Sequence, residues 1–112
     1  MREVIAARLL REGMRVVTVD DGFELRDYLE LCRTDGSVPE PDVVVTDVRM
    51  PGESGPEALL HSQFHHSPVV LIGSCITDEV RAYAARIGVV AIFEKPFPVA
   101  ELVVAIRRLL TC

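Results

Sequence analysis

The chain has 112 residues, 49% of them apolar, and a formal net charge of −5. This length fits one small domain, spanning 1–112, and the apolar content supports a real core rather than a disordered chain. The acidic balance argues against a nucleic-acid surface, which needs clustered Lys and Arg. Three cysteines (Cys32, Cys75 and Cys112) without a CxxC spacing fit reduced thiols in the cytoplasm better than a disulfide framework. No apolar run is long enough to cross a bilayer, so no membrane association is expected, and "MREVIAARLLREGM" is too charged on both flanks for a signal peptide. His65-His66 precedes Pro68 with no Cys or Glu at metal-ligand spacing, which favours a surface loop over a metal site.

Taken in order, residues 2–12 place Ile5, Ala6 and Leu9 on one stripe and predict a helix that stops at Gly13. "RVVTV" (15–19) predicts a short strand, closed by an Asp20-Asp21-Gly22 turn. Residues 23–33 read as a helix with Phe23, Leu25, Tyr28, Leu29 and Cys32 inward, followed by a polar Gly/Pro loop over 34–41. "DVVVT" (42–46) is continuously apolar after its first residue, the pattern of a strand covered on both faces. Gly55-Pro56 opens a helix to about Gln63, and "PVVLIG" (68–73) is a second buried strand. Thr77 is an N-cap, with Asp78 and Glu79 favouring the first turn of a helix that runs to Ile87 and ends at Gly88. "VVAIF" (89–93) is a further buried strand. Pro98 begins a last helix with Leu102, Val103, Ile106, Leu109 and Leu110 inward. Strands alternating with helices imply right-handed crossovers and a doubly wound parallel α/β sheet.

Ligands of open parallel sheets bind beyond the carboxyl ends of the strands. Three such ends carry Asp47, Ser74 (after Gly73) and Lys95. A carboxylate, a hydroxyl and an ammonium on one rim suit phosphoryl chemistry: Asp47 as nucleophile, Lys95 pairing with a phosphoryl oxygen, Ser74 as hydroxyl partner. The chain has no G-x-G-x-x-G or Walker lysine loop, so a nucleotide-binding enzyme is not expected.

"VVVTDVRMPGESG", followed by "EKPF" some forty residues later, resembles the receiver domain of two-component response regulators. "EGMRVVTVDDGFELRDYLE" and "RIGVVAIFEKPFPVAELVVAIRRLL" extend the resemblance over the whole chain. It implies a flavodoxin-like fold with strand order 2-1-3-4-5, Asp47 as phosphoacceptor and Lys95 as its phosphoryl ion pair. It also implies Mg²⁺ ligated by Asp47 and the backbone carbonyl of Arg49, a loop shaped by Met50, Pro51 and Gly55, and a cis bond before Pro96. Implied partners are a histidine kinase or phosphotransfer protein, with no direct nucleic-acid contact.

The chain departs from that pattern in three places. It starts where the family's first helix would lie, so the first strand and its acidic pair are absent and the metal site is incomplete. Asp20-Asp21 follows the wrong strand to replace them. Mg²⁺ binding, and Mg²⁺-dependent phosphorylation of this chain, are therefore expected to be weak or absent. The vacant internal position leaves a gap of about 9–10 Å. Of three remedies (an upstream strand, closure of the sheet, or a strand from another chain), truncation with the strand lying upstream is the expected origin, and homodimerisation by strand pairing or swapping is a further expectation. The family's Ser/Thr aligns with Gly73, and its aromatic aligns with Ile92, whose neighbour Phe93 faces the other way. Two functional readings follow: a phosphorelay receiver that switches a partner surface, or a degenerate, non-phosphorylated interaction module.

Overall fold

The computed structural model describes residues 2–48 and 67–111. The described elements are α1 (Arg2–Arg11), α2 (Gly22–Thr34), β1 (Val44–Asp47), β2 (Val69–Gly73), α3 (Asp78–Ile87), β3 (Val89–Glu94) and α4 (Val99–Thr111). The helix predicted from Gly55 to Gln63, together with Arg49, Met50, Pro51, the histidines and Cys112, lies outside the described residues.

The strands form a parallel sheet in the order β1-β2-β3, with Asp47 opposite Ile72 and Gly73 opposite Glu94. β2 is buried at all five positions because it has a strand on each side and helices over both faces. β3 is the outer strand. The sequence suggested a buried strand there, but its residues are half-buried or exposed, and Val90 is 53% exposed. The alternation of side chains divides the core into two layers. Val70 and Ile72 meet Ile5 and Leu9 of α1 and Leu102, Val103 and Ile106 of α4. Val44 and Val69 meet Leu25 and Leu29 of α2 on the opposite face, with Ile87 of α3 beside them.

The predicted strand at 15–19 does not form. Residues 14–19 carry no strand, and Arg15 to Thr18 make no backbone–backbone hydrogen bond among the described residues. β-branched composition favours a strand only where a neighbour supplies the ladder, and none pairs with this segment among the described residues. Two inward assignments also fail. Phe23 is 54% exposed because it sits two residues, or 200° of helical turn, before Leu25 on the buried Leu25–Leu29–Cys32 stripe. Leu110 is 42% exposed: in the last turn of α4 it is Leu109 that packs against the core.

Asp20 and Asp21 form a helix start rather than the predicted turn. The Asp21 carboxylate accepts from the Glu24 N–H at 2.8 Å, and Glu24 accepts in return from the Asp20 N–H at 3.2 Å. Arg2 binds the Val19 carbonyl and pairs with Asp20, both at 2.8 Å, which fixes the first turn of α1 beside the start of α2. Thr77 caps α3 as expected, and Gly88 ends it at φ 84°, a left-handed conformation that favours glycine.

At the other end of α1, Arg107 of α4 donates through Nε to Glu12 at 3.2 Å. That hydrogen bond, more than any other cause, holds the Glu12 carboxyl below its usual range. Its contribution to stability is present above the unfolded pKa and lost as pH falls through the depressed folded one. An NMR titration is expected to find the Glu12 midpoint shifted down in the wild type and moved up in Arg107→Gln. An unchanged midpoint in the variant would remove this clamp from the account.

Candidate functional site

Asp47 is the last residue of β1. Val44 and Thr46 before it are buried, and the strand closes where the Val48 N–H donates to the Ile72 carbonyl at 2.8 Å. Lys95 follows β3. Its N–H donates to the Gly73 carbonyl at 2.7 Å, tying the ends of β2 and β3 together, and the Lys95–Pro96 bond is cis. These anchors bring the two charged groups together: Lys95 Nζ donates to Asp47 Oδ1 at 2.8 Å, with side chains 30% and 37% exposed. At that exposure a single pair is worth about 1 kcal/mol or less, so its consequence is orientation rather than stability. Asp47, Val48, Gly73, Ser74, Cys75 and Lys95 line a cleft of about 120 Å³. The three rim residues singled out in the sequence therefore share one cleft, with Ser74 exposed at its edge. Arg49 lies outside the described residues.

Sequence reasoning missed what surrounds Gly73. A Cβ built there would approach Ile76 Cδ1 to 2.7 Å and Val48 Cγ2 to 2.9 Å. Ile76 and Val48 occupy the space a serine or threonine side chain would need, so this position cannot offer a hydroxyl without local repacking. The only signal was that a glycine stands where the resemblance calls for a hydroxyl residue. Gly73→Ser is expected to destabilise by about 1–3 kcal/mol through overpacking. Ile76→Val removes the closer obstacle and should recover part of the loss. A urea-unfolding double-mutant cycle checks this, and additive effects of the two changes would contradict the contact. Phe93 packs into the α1–α4 layer and lies 5.3 Å from the Phe97 ring, consistent with its expected orientation.

The described residues do not fit a magnesium ion. Among them no group of three or more His, Cys, Asp or Glu is placed to hold a metal. Asp47 supplies one carboxylate whose Oδ1 already accepts from Lys95, whereas Mg²⁺ requires an octahedral set of oxygens. Asp20 is paired with Arg2 and Asp21 caps α2.

A parallel α/β sheet with a carboxylate and a lysine meeting over its carboxyl rim defines a class of signalling module. Residues 1–107 match the response regulator receiver domain, and the chain belongs to that family, the receivers of two-component systems. It is 37% identical over 112 residues to the C4-dicarboxylate transport transcriptional regulatory protein DctD of Pseudomonas aeruginosa. That match covers 98% of this chain and 23% of the relative, so the chain spans about a quarter of that protein's length. The Francisella response regulator 1452 receiver domain superposes with a TM-score of 0.75 at 25% identity, covering 96% of this chain and 84% of that one. The receiver domain of the sensor histidine kinase PA1611 from Pseudomonas aeruginosa shares the fold, with a TM-score of 0.79 at 23% identity over 99% and 88% of the two chains. Its structure holds a magnesium ion in the active-site cleft. No helix among the described residues is long and apolar enough to cross a membrane.

Proposed function

We propose that residues 1–112 form one cytoplasmic receiver domain, not itself an enzyme, whose Asp47 accepts a phosphoryl group from the phosphohistidine of a kinase or phosphotransfer protein. The observation that carries this reading is the 2.8 Å approach of Lys95 Nζ to Asp47 Oδ1 in an open cleft. In the transfer, a carboxylate oxygen of Asp47 attacks phosphorus, a P–O bond forms and the P–N bond breaks, and the imidazole leaves with the electron pair and takes up a proton. Lys95 offsets charge on the phosphoryl oxygens, and Ser74, at the cleft edge, supplies the hydroxyl that Gly73 lacks. Because the described donor set does not fit Mg²⁺, labelling should be slow and respond weakly to that ion.

The second reading, a non-phosphorylated interaction module, draws on the packing of Ile76 and Val48 over Gly73 and on the thin metal donor set. Beryllofluoride, an unreactive mimic of the phosphoryl group, separates the two. NMR shifts at Ser74 and Lys95 that vanish in Asp47→Asn support acceptance. A wild-type spectrum that does not respond leaves the interaction module.

A further inference from the structure

The ends of the three strands are tied together around Gly73. The Val48 N–H donates to the Ile72 carbonyl at 2.8 Å, and the Lys95 N–H donates to the Gly73 carbonyl at 2.7 Å. These bonds join β1 and β3 to β2 but do not reach the loop that follows. Ser74, Cys75 and Ile76 make no backbone–backbone hydrogen bond among the described residues, and Ser74 and Cys75 are exposed. Ile76 is half-buried, and its side chain folds back over Gly73. There its Cδ1 lies 2.7 Å, and the Val48 Cγ2 2.9 Å, from the place a Cβ would take. Two side chains thus close on one point from different strand ends. Gly73 is not among the glycines of positive φ, so this position needs a glycine for space rather than for a turn.

We infer, on the reading of Asp47 as phosphoacceptor, that Ile76 is a positioning residue for the transfer, holding the Asp47 carboxylate and the Ser74 hydroxyl in register. Towards β1 it meets Val48, the residue that follows Asp47. Along its own loop it stands two residues after Ser74 and pins a segment that backbone bonds leave free. The far end of that loop is already fixed, because Thr77 caps α3 by accepting from the Val80 N–H at 3.2 Å. Ile76 joins this fixed start of α3 to the end of β2. Without its Cδ1 a gap opens beside Gly73, since glycine has no side chain to fill it. Val48 and the 74–76 loop then move independently, and the nucleophile and the hydroxyl move with them. Lys95 does not compensate, because its ammonium follows Asp47 through the 2.8 Å pair. A displacement of about 1 Å at a reacting atom costs on the order of a hundred-fold in rate, so one methyl group outside the chemistry governs the transfer.

The test measures labelling of the full chain by a phosphohistidine donor, together with the ¹⁵N shift of the Lys95 ammonium in the unlabelled protein. Ile76→Ala is expected to lower the rate at saturating donor by about ten-fold or more, with Ile76→Val in between. The donor concentration for half-saturation should stay unchanged, because the contact orients groups and does not bind the donor. Ile106→Val deletes the same methyl from the core of α4 and serves as the control for plain loosening of the fold. It should label like the wild type. The Lys95 signal should move in Ile76→Ala and stay in place in Ile106→Val. Wild-type labelling in Ile76→Ala overturns the role of Ile76 while leaving Asp47 as phosphoacceptor, and so does equal slowing in Ile106→Val. Where the wild type itself takes no label, the phosphoacceptor reading fails and the Lys95 signal decides alone. A shift in Ile76→Ala then still establishes the positioning contact, and an unmoved signal overturns it.

Discussion

Replacing Asp47 with Asn should reduce acyl-phosphate labelling from a phosphohistidine donor to background. A carboxamide is not the nucleophile the transfer requires, and the 2.8 Å partner on Lys95 has nothing to gain from a neutral group. Asp47→Glu retains the carboxylate but extends its reach by one methylene. A displacement of about 1 Å at a reacting atom costs on the order of a hundred-fold in rate, so this variant too should label poorly. Lys95→Ala should label slowly rather than not at all, because the nucleophile stays in place. Unchanged labelling in Asp47→Asn, measured by acid-stable and hydroxylamine-sensitive counts, would move the phosphoacceptor elsewhere.

Leu102→Ala carries the largest expected effect on stability. Leu102 is fully buried, in the layer where α1, β2 and α4 meet. Truncating a leucine in such a place costs about 2–5 kcal/mol, the lost transfer energy plus the cavity left behind. Domains of this size hold about 5–15 kcal/mol in total, so the variant sits close to the unfolding threshold. Leu110→Ala on the same helix is the internal control. With its side chain 42% exposed, it should fall within about 0.5 kcal/mol of wild type. Urea unfolding with an unchanged slope checks both, and equal midpoints for the two variants would contradict the placement of the core.

What could be read from the sequence was whatever chemistry is local. Thr77 and Gly88 delimit α3 in both sequence and structure because a cap and a left-handed terminator act within one turn. The apolar run of β2 announced a strand covered on both faces, and all five of its residues are buried. Asp47, Ser74 and Lys95 each follow a parallel strand, which is enough to place them on one rim, and all three line one cleft. What could not be read depended on partners distant in the chain. "RVVTV" has strand composition, but a strand is a relation between two segments, and its neighbour is not among the described residues. The Asp20-Asp21-Gly22 signal fits both a turn and an N-cap, and Glu24 decides for the cap by donating from its N–H and accepting with its side chain. The side chains over Gly73 were invisible for the same reason, because Ile76 folds back onto the end of β2 from the following loop.

Chemical identification of the phosphorylated residue tests the central claim most directly. After transfer from a phosphohistidine donor, borohydride reduces an aspartyl phosphate to homoserine, and peptide mass spectrometry then locates it. The account predicts homoserine at position 47 in the wild-type chain and none in Asp47→Asn. Homoserine at another acidic residue, or a fully unmodified Asp47 after incubation with a competent donor, would contradict it.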